Sequence, residues 1–404
     1  MTYKARIKNN ICTNAHPVGC FFHVYEQIQQ MSDFKIDGFE NKTALVVGAS
    51  SGIGLASRIA LTFAAGMDTL GLYCDRAAQA HKMGSAGWYN NQAFEYYARR
   101  ANKMALSSNQ DAFQSNAKDW VIQKLQQQEK KLDVLVYSLA APKRSIKGVG
   151  EFRSTIKPIS GEFNGQTVDP FKHELRELNI SAATQDEVEA TVKVMGGEDW
   201  QDWVNQLKKA GVLAPNFKTV AYSYLGPDQT QEIYGDGTLG AAKSHLHETA
   251  IALDQSLKDI QGKANIGLFQ ALVTPSSSVI PSMPLYISVL HQMQKQFGTY
   301  ESTVQQVGRL LKDDFLNLNI STDVKLRADQ YERDEKLQSE VNKILTSVTQ
   351  NNLDDLVDLD GFVQSFLQQF GFGYDFIDYE IKPDPLTPPA LHDFNQSADL
   401  KKAG

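Results

Sequence analysis

The sequence predicts a doubly wound α/β fold on a mostly parallel sheet, with helical additions at the N-terminus, in mid-chain and at the C-terminus. Three observations predict it. Strand-like apolar runs alternate with helical patterns along most of the chain. Several runs are apolar almost throughout, as in Leu132-Asp-Val-Leu-Val-Tyr-Ser138, which suits strands covered on both faces. The first run leads into Val47-Gly-Ala-Ser-Ser-Gly-Ile-Gly54, with helical periodicity at Ile53, Ala56, Ile59, Ala60 and Phe63 behind it.

Taken in order, residues 1–40 precede the first strand and hold a short β-like piece and a helix near 19–32. Strands are expected at 43–48, 69–75, 103–107, 132–138, 218–224 and 265–273, and helices at about 52–66, 89–102, 116–130 and 238–260. The excursion 145–217 contains a hairpin-like Ser154–Ser160 and an amphipathic segment around Trp200 and Trp203. Residues 284–370 read as mostly helical, and the tail after Pro383 as extended or loose. Without repeats or a low-complexity linker, 1–404 reads as a single decorated domain. Its parts are an N-terminal extension (1–40), a core (41–144 and 218–283), an insertion (145–217) and a helical substrate-side and C-terminal region (284–404).

The glycine turn carries the first chemistry. Gly48 permits a tight turn, Gly52 a close approach of backbone to a bound group, and Gly54 the packing of helix on strand. First-turn N–H groups, with Ser50, Ser51 and Ile53 in the same turn, then offer a seat for a pyrophosphate. Asp75 stands 21 residues after Gly54, at the end of the apolar run Thr69–Tyr73, where a Rossmann fold places the carboxylate for the adenosine ribose. The alternative is a βα turn that binds nothing.

Composition narrows the classes. The chain has 404 residues, 42% hydrophobic and 22% charged, with a net charge of −7, which argues against a nucleic-acid binder. Lys143, Arg144, Lys147, Arg153 and Lys157 form a local basic cluster that reads equally as a solvated loop or an anion site. No run approaches the roughly 18 apolar residues of a membrane span, so no membrane insertion is expected. MTYKARIKNN is not followed by a signal-peptide pattern. Cys12, Cys20 and Cys74 are too scattered for a disulfide framework; Cys12 and Cys20 flank His16, but buried thiols rather than a metal site are expected. A cytoplasmic location fits.

A nicotinamide oxidoreductase needs an acid near the substrate oxygen and usually a lysine beside it. No tyrosine here has a lysine four residues on, so a plain ketoreductase site is missing. Tyr234 and Lys243 lie nine positions apart, out of phase on one helix, and converge only if Tyr234 stands off the helix. Gly235, Asp236 and Gly237 suit such a break, Asp236 or Thr238 can cap the helix, and Gly240, Ala241 and Ala242 leave room beside Lys243 for a cofactor. Tyr222 and Tyr224 end the fifth strand on one face; Tyr224, nearer the end, is the candidate for the pocket, and a core role is its alternative. Thr274 opens a Pro/Ser loop whose backbone and hydroxyl suit a carboxamide. Met283, Leu285, Tyr286, Val289 and Leu290 form an apolar helix face, either an acyl tunnel lining or plain core.

The chain resembles the long single-chain bacterial trans-2-enoyl thioester reductases, enlarged relatives of the short-chain dehydrogenases. The resemblance rests on Ile11–Cys20, Val47–Arg58, Val136–Arg144, Ala190–Trp200, Lys218–Pro227 and the Tyr234/Lys243 pair, and it spans nearly the whole chain. It implies NADH-dependent reduction of the C2–C3 double bond of an enoyl thioester carried on coenzyme A or acyl carrier protein. Hydride would go to C3, Tyr234 would stabilise the enolate, Lys243 would bind the nicotinamide ribose, and Tyr224 would position the thioester or relay a proton to C2. It also implies that Asp111, with Ala112, holds the adenine and that Ser138 and Leu139 line the cofactor channel. Ile280, Met283 and Tyr286 would then set chain length, and the large insertions favour a monomer. Two positions depart from the family pattern. Cys74-Asp75-Arg76 replaces the usual Glu, which keeps NADH first while Arg76 leaves room for some NADPH use, and Pro275 stiffens the loop after Thr274. A 3-oxoacyl or other carbonyl reductase and a non-catalytic dinucleotide sensor are the competing readings.

Overall fold

A computed structural model describes residues 3–317 and 323–386. The expected strands form as β1 (Thr43–Val47), β2 (Asp68–Tyr73), β3 (Ala105–Asn109), β4 (Leu132–Tyr137), β5 (Leu213–Ser223) and β6 (Lys263–Leu268). A further strand, β7 (Lys325–Arg327), adds to the edge. The order is β7-β6-β5-β4-β1-β2-β3 with every neighbouring pair parallel, so the sheet is doubly wound and reverses direction at β1/β4. All five residues of β1 are buried, as a strand covered on both faces requires.

Helices Gly52–Ile59, Ala86–Arg100, Ser115–Gln127 and Thr238–Ser256 cover the sheet near their expected places. The first ends sooner than its periodicity suggests, because Ala60–Ala64 widens into a π turn. On this helix Arg58 is fully buried. It donates to Asn91 Oδ1 (2.9 Å), Ser107 Oγ (2.8 Å) and the Leu106 carbonyl (2.9 Å). Its space comes from Gly71 of β2, where a Cβ would lie 2.3 Å from the guanidinium. Burial lowers this guanidinium's pKa to about 10.

The additions depart more from expectation. The N-terminal extension forms a small hairpin (Ile7–Lys8 with Ile11–Cys12) and the helix Pro17–Met31. Gly19 of that helix touches the turn at Gly371, whose carbonyl would lie 2.0 Å from an added Cβ, so the two ends of the chain are packed together. Ser154–Ser160 is not a hairpin. It is the irregular link between two others, Lys143–Ile146 with Gly150–Arg153 and Phe163–Asp169 with Glu174–Ile180. It has one proline and no glycine to make a hairpin turn, and it is held instead by a bridge between Pro158 and Gly237.

Trp200 and Trp203 of the helix Glu198–Lys209 are wholly buried beneath the sheet. Between them and β4 lies a buried ion pair: Lys118 Nζ stands 2.7 Å from Asp199 Oδ1, and Tyr137 donates to Asp199 Oδ2 at 3.0 Å. Both charged side chains are almost inaccessible, 1% and 2% exposed, so neither can exchange its partner for water. Asp199→Ala leaves the buried Lys118 ammonium only the half-exposed Asp202 carboxylate at 3.3 Å and should lower unfolding free energy by about 3 kcal/mol, read by urea titration. A loss under about 1 kcal/mol would mean that water reaches the pair.

Candidate active site

The site gathers at the carboxyl ends of β1, β4 and β5. Gly48 has φ +88°, and a Cβ there would meet the Ser138 carbonyl at 2.2 Å. Gly54 approaches the Gly48 carbonyl so closely that a Cβ would stand 1.9 Å from it. Gly52 has φ +52°, and the nearest atoms to its missing Cβ belong to the Thr274 side chain, 3.6 Å away. The first two glycines thus draw the turn tight, and the third leaves a gap between the helix N-terminus and Thr274. Ser51 is the N-cap residue and makes no side-chain cap, so the first-turn N–H groups, including that of Ile53, face this gap.

Asp75 sits beside it. Ser50 Oγ donates to its Oδ2 and Ser85 Oγ to its Oδ1, each at 2.7 Å, while Asn109 pairs with its backbone in both directions at 2.8 Å. Ser85 and Asn109 were not legible from sequence, since serine and asparagine at element ends are ordinary turn residues. Arg76 is exposed and its Nε reaches the Met83 carbonyl at 3.4 Å. Asp111 closes its own turn, accepting from Phe113 N and Gln114 Nε2 at 3.0 Å each, and Ala112 is buried with its carbonyl taking Lys118 Nζ. Ser138 N donates to the Val47 carbonyl at 2.9 Å, which fixes Ser138 and Leu139 against the glycine turn.

At the end of β5 the two tyrosines separate. Tyr222 is core: its hydroxyl shares a 2.7 Å bond with Ser57, and its ring meets Phe269 edge-on. Tyr224 packs on Tyr234 instead, its ring perpendicular to that of Tyr234 with centroids 5.0 Å apart. Tyr234 lies off the helix, in a π turn Gln231–Gly235. That turn folds back on the helix Thr238–Ser256, where a Cβ on Gly240 would stand 1.7 Å from the Gly235 carbonyl. Gly240 therefore makes room for the π turn and not for a cofactor. Neither Asp236 nor Thr238 caps the helix: Gly237 is the N-cap residue, and Thr238 bonds to Thr155 and Lys157 of the insertion. Lys243 Nζ donates to the Tyr222 carbonyl at 3.3 Å, which brings it to the strand end carrying Tyr224. Burial raises the Tyr234 phenol above its ordinary range and lowers the Lys243 ammonium to about 8.

The loop after β6 is more occupied than expected. The Thr274 N–H and hydroxyl both bond to Ser277 Oγ, at 2.9 and 3.1 Å, so its methyl is what faces Gly52. Of the apolar stripe, Leu285, Val289 and Leu290 are core, packed among the C-terminal helices. Ile280 packs on this cluster half-buried, and Met283 and Tyr286 are buried at the start of the helix Met283–Phe297.

Sequence reasoning missed Glu332. Its carboxylate accepts from Tyr224 at 2.8 Å and Tyr286 at 2.7 Å on one oxygen, and from Ala271 N at 2.9 Å on the other. In Asp329-Gln-Tyr-Glu-Arg-Asp-Glu335 it reads as one charge of a solvated run, and no local signal distinguishes it.

The basic cluster is largely spent within the fold. Lys143 and Arg153 pair with Glu151, Arg144 with Glu198, and Lys157 with Glu187. His16 Nδ1 accepts from Gly19 N at 3.4 Å at the start of its helix, and Cys12 and Cys20 are buried. Among the described residues no helix is long and apolar enough to cross a membrane.

A glycine turn at a sheet switch point, a carboxylate at the end of the next strand and a tyrosine and a lysine gathered near the end of β5 are the arrangement of a nicotinamide-nucleotide oxidoreductase. Residues 82–316 match the trans-2-enoyl-CoA reductase catalytic region, and residues 2–80 match the NAD(P)H binding domain of trans-2-enoyl-CoA reductase. The chain is 41% identical over 393 residues to an enoyl-[acyl-carrier-protein] reductase [NADH] of Pseudoalteromonas translucida, covering 96% of this chain and 99% of that protein. The trans-2-enoyl-CoA reductase of Clostridium acetobutulicum in complex with NADH superposes with a TM-score of 0.91 at 36% identity, covering 95% of this chain and 98% of that one. That of Treponema denticola in complex with NAD gives 0.90 at 38%, with the same coverage. The chain belongs to the trans-2-enoyl-CoA reductase family.

Residues 322–382 match a model described as an enoyl reductase FAD binding domain. The described residues there do not fit a flavin. Leu337, Val341, Leu353, Leu359, Phe362 and Phe366 are buried against the helix Met283–Phe297. Gly371 and Gly373 follow a helix C-terminus, where carbonyls and not N–H groups are free.

Proposed function

We propose that this protein catalyses NADH-dependent reduction of the C2–C3 double bond of trans-2-enoyl thioesters, the last reductive step of an acyl elongation cycle or the reduction of crotonyl-CoA. When bound, reduced nicotinamide supplies the hydride that reaches C3 of the substrate. Tyr234 then meets the thioester oxygen and stabilises the enolate, its hydroxyl being uncommitted to any protein acceptor among the described residues. Lys243 holds the nicotinamide ribose and favours negative charge in the site. Tyr224 donates the proton that C2 requires. Ile280, Met283 and Tyr286 flank the acyl chain, and Thr274 borders the cofactor through the methyl that faces Gly52. Asp111 and Ala112 border the adenine.

Asp75 favours NADH by repelling a 2′-phosphate, and with Arg76 turned toward Met83 any NADPH use is minor. The carrier is coenzyme A or acyl carrier protein; three core clusters drawing on the core, the insertion and the C-terminal helices among the described residues support a single decorated domain and a cytoplasmic monomer. The observation that carries this reading is the contact of Tyr224 with Tyr234 beside the end of β5, where Lys243 bonds the Tyr222 carbonyl, within a fold whose relatives are named enoyl reductases.

The test is NADH oxidation with crotonyl-CoA beside acetoacetyl-CoA. Turnover of crotonyl-CoA alone supports the reading, and turnover of acetoacetyl-CoA alone overturns it. The glycine turn supplies a second check. Gly54→Ala should weaken NADH at least about tenfold, or ~1.4 kcal/mol, in a fluorescence titration, because its methyl displaces the Gly48 carbonyl. Unchanged affinity would place the dinucleotide elsewhere.

A further inference from the structure

The helical C-terminal region sends one ionisable side chain into the site. Glu332 lies 1% exposed, beyond the stretch matched by the catalytic-region model, yet it shares a hydrogen bond with Tyr224. Tyr286 bonds to the same carboxylate oxygen, and Gln338 Nε2 reaches the Tyr286 hydroxyl at 3.1 Å. A carboxylate needs no such burial to support a fold, since burying charge costs free energy unless it is well paired. Here the partners are two phenols and an amide, none of them a cation.

We propose that Glu332 acts through Tyr224 as a proton-relay and positioning residue, returning to that hydroxyl the proton it gives to C2 of the substrate. This rests on the reading of Tyr224 as proton donor given above. The balance is simple. After hydride reaches C3, the Tyr224 O–H bond breaks and the C2–H bond forms. The proton on Glu332 passes to the Tyr224 oxygen, leaving a carboxylate. That carboxylate then accepts from Tyr224, Tyr286 and Ala271 N, the arrangement seen in the structure, until solvent restores its proton. Nothing but NADH is oxidised.

The acidity suits the role. Burial raises the carboxyl to about 7, against the hydrogen bonds from Tyr286, Tyr224 and Ala271, which lower it. Asp329 on its own segment raises it further and is paired with Arg327. From the neighbouring elements come Tyr224, Tyr286, His291, which bonds the Ala271 carbonyl, and Arg309, which is paired with Glu301. The relay works while Glu332 holds its proton, so its contribution is complete below pH 7 and is lost as pH rises through 7.

The experiment is single-turnover reduction of crotonyl-CoA by NADH-loaded enzyme across pH 5.5–9. Wild type should show a fall in rate centred near 7. Glu332→Gln should be at least tenfold slower at pH 6 and lack that fall, with NADH affinity kept. Tyr286→Phe removes one donor to the carboxylate and should move the fall to higher pH. A Glu332→Gln enzyme with wild-type rate and profile overturns the proposal, as does an unmoved limb in Tyr286→Phe if the first variant does not fold. Tyr224→Phe with full activity would instead overturn the underlying reading of Tyr224 as proton donor and leave the two failures distinct.

Discussion

Replacing Tyr234 by phenylalanine should lower turnover on crotonyl-CoA by on the order of 10²–10³, with NADH binding nearly unchanged. The π turn sets this expectation. It holds the ring against Tyr224 and buries it, so phenylalanine fills the same space and only the hydroxyl is lost. That hydroxyl is asked to meet charge that develops on the thioester oxygen in the transition state, where a single donor is worth about 3–4 kcal/mol. The effect should fall on kcat and leave KM for the substrate little altered, because the interaction is made mainly in the transition state. A variant with more than half of wild-type turnover would remove Tyr234 from the chemistry.

Lys243→Ala should weaken NADH and slow turnover together, and the wild type should show why in its pH profile. Burial depresses this ammonium from its ordinary 10.5 to about 8. Catalysis that needs the charge is therefore lost as pH rises through 8, in the alkaline limb of kcat/KM. The stability consequence runs the other way. Between pH 8 and 10.5 the unfolded chain binds the proton that the folded chain has released, so this group makes the protein more stable as pH rises through that window. Lys243→Ala should abolish both trends. Retention of the limb near pH 8 in that variant, as distinct from the Glu332 fall near 7, or unaltered NADH affinity, would argue against a lysine–ribose contact.

What the sequence made legible follows from where burial leaves a mark. Five-residue runs such as Thr43-Ala-Leu-Val-Val47 are apolar because both faces are covered, and those strands were placed to within a few residues. The edge strand β7 is only Lys325-Leu-Arg327, with one buried residue, and carries no period to detect. The hairpin strand Phe163–Asp169 buries only Phe163 and Val168, too little for an alternating pattern. Within the site, Gly48, Gly52 and Gly54 were readable because a glycine at each answers a local need. The departure of Tyr234 from its helix was readable from the glycines around it, though Gly240 proved to serve the π turn. Glu332 was not, because its neighbours Tyr224, Tyr286 and Ala271 are distant in sequence and chosen by tertiary packing alone.

The packing of Gly19 against Gly371 also orders events during synthesis. Everything proposed to face the dinucleotide, from Gly48 to Thr274, leaves the ribosome before the edge strand β7 and before Glu332. The early helix Pro17–Met31 must then wait for the turn at Gly371 to arrive before its glycine finds a partner. A nascent or C-terminally clipped chain would thus hold the phosphate-facing turn complete while lacking both its closing clasp and the carboxylate beside Tyr224. Dinucleotide capture and proton supply mature at different times, and only a finished polypeptide joins them.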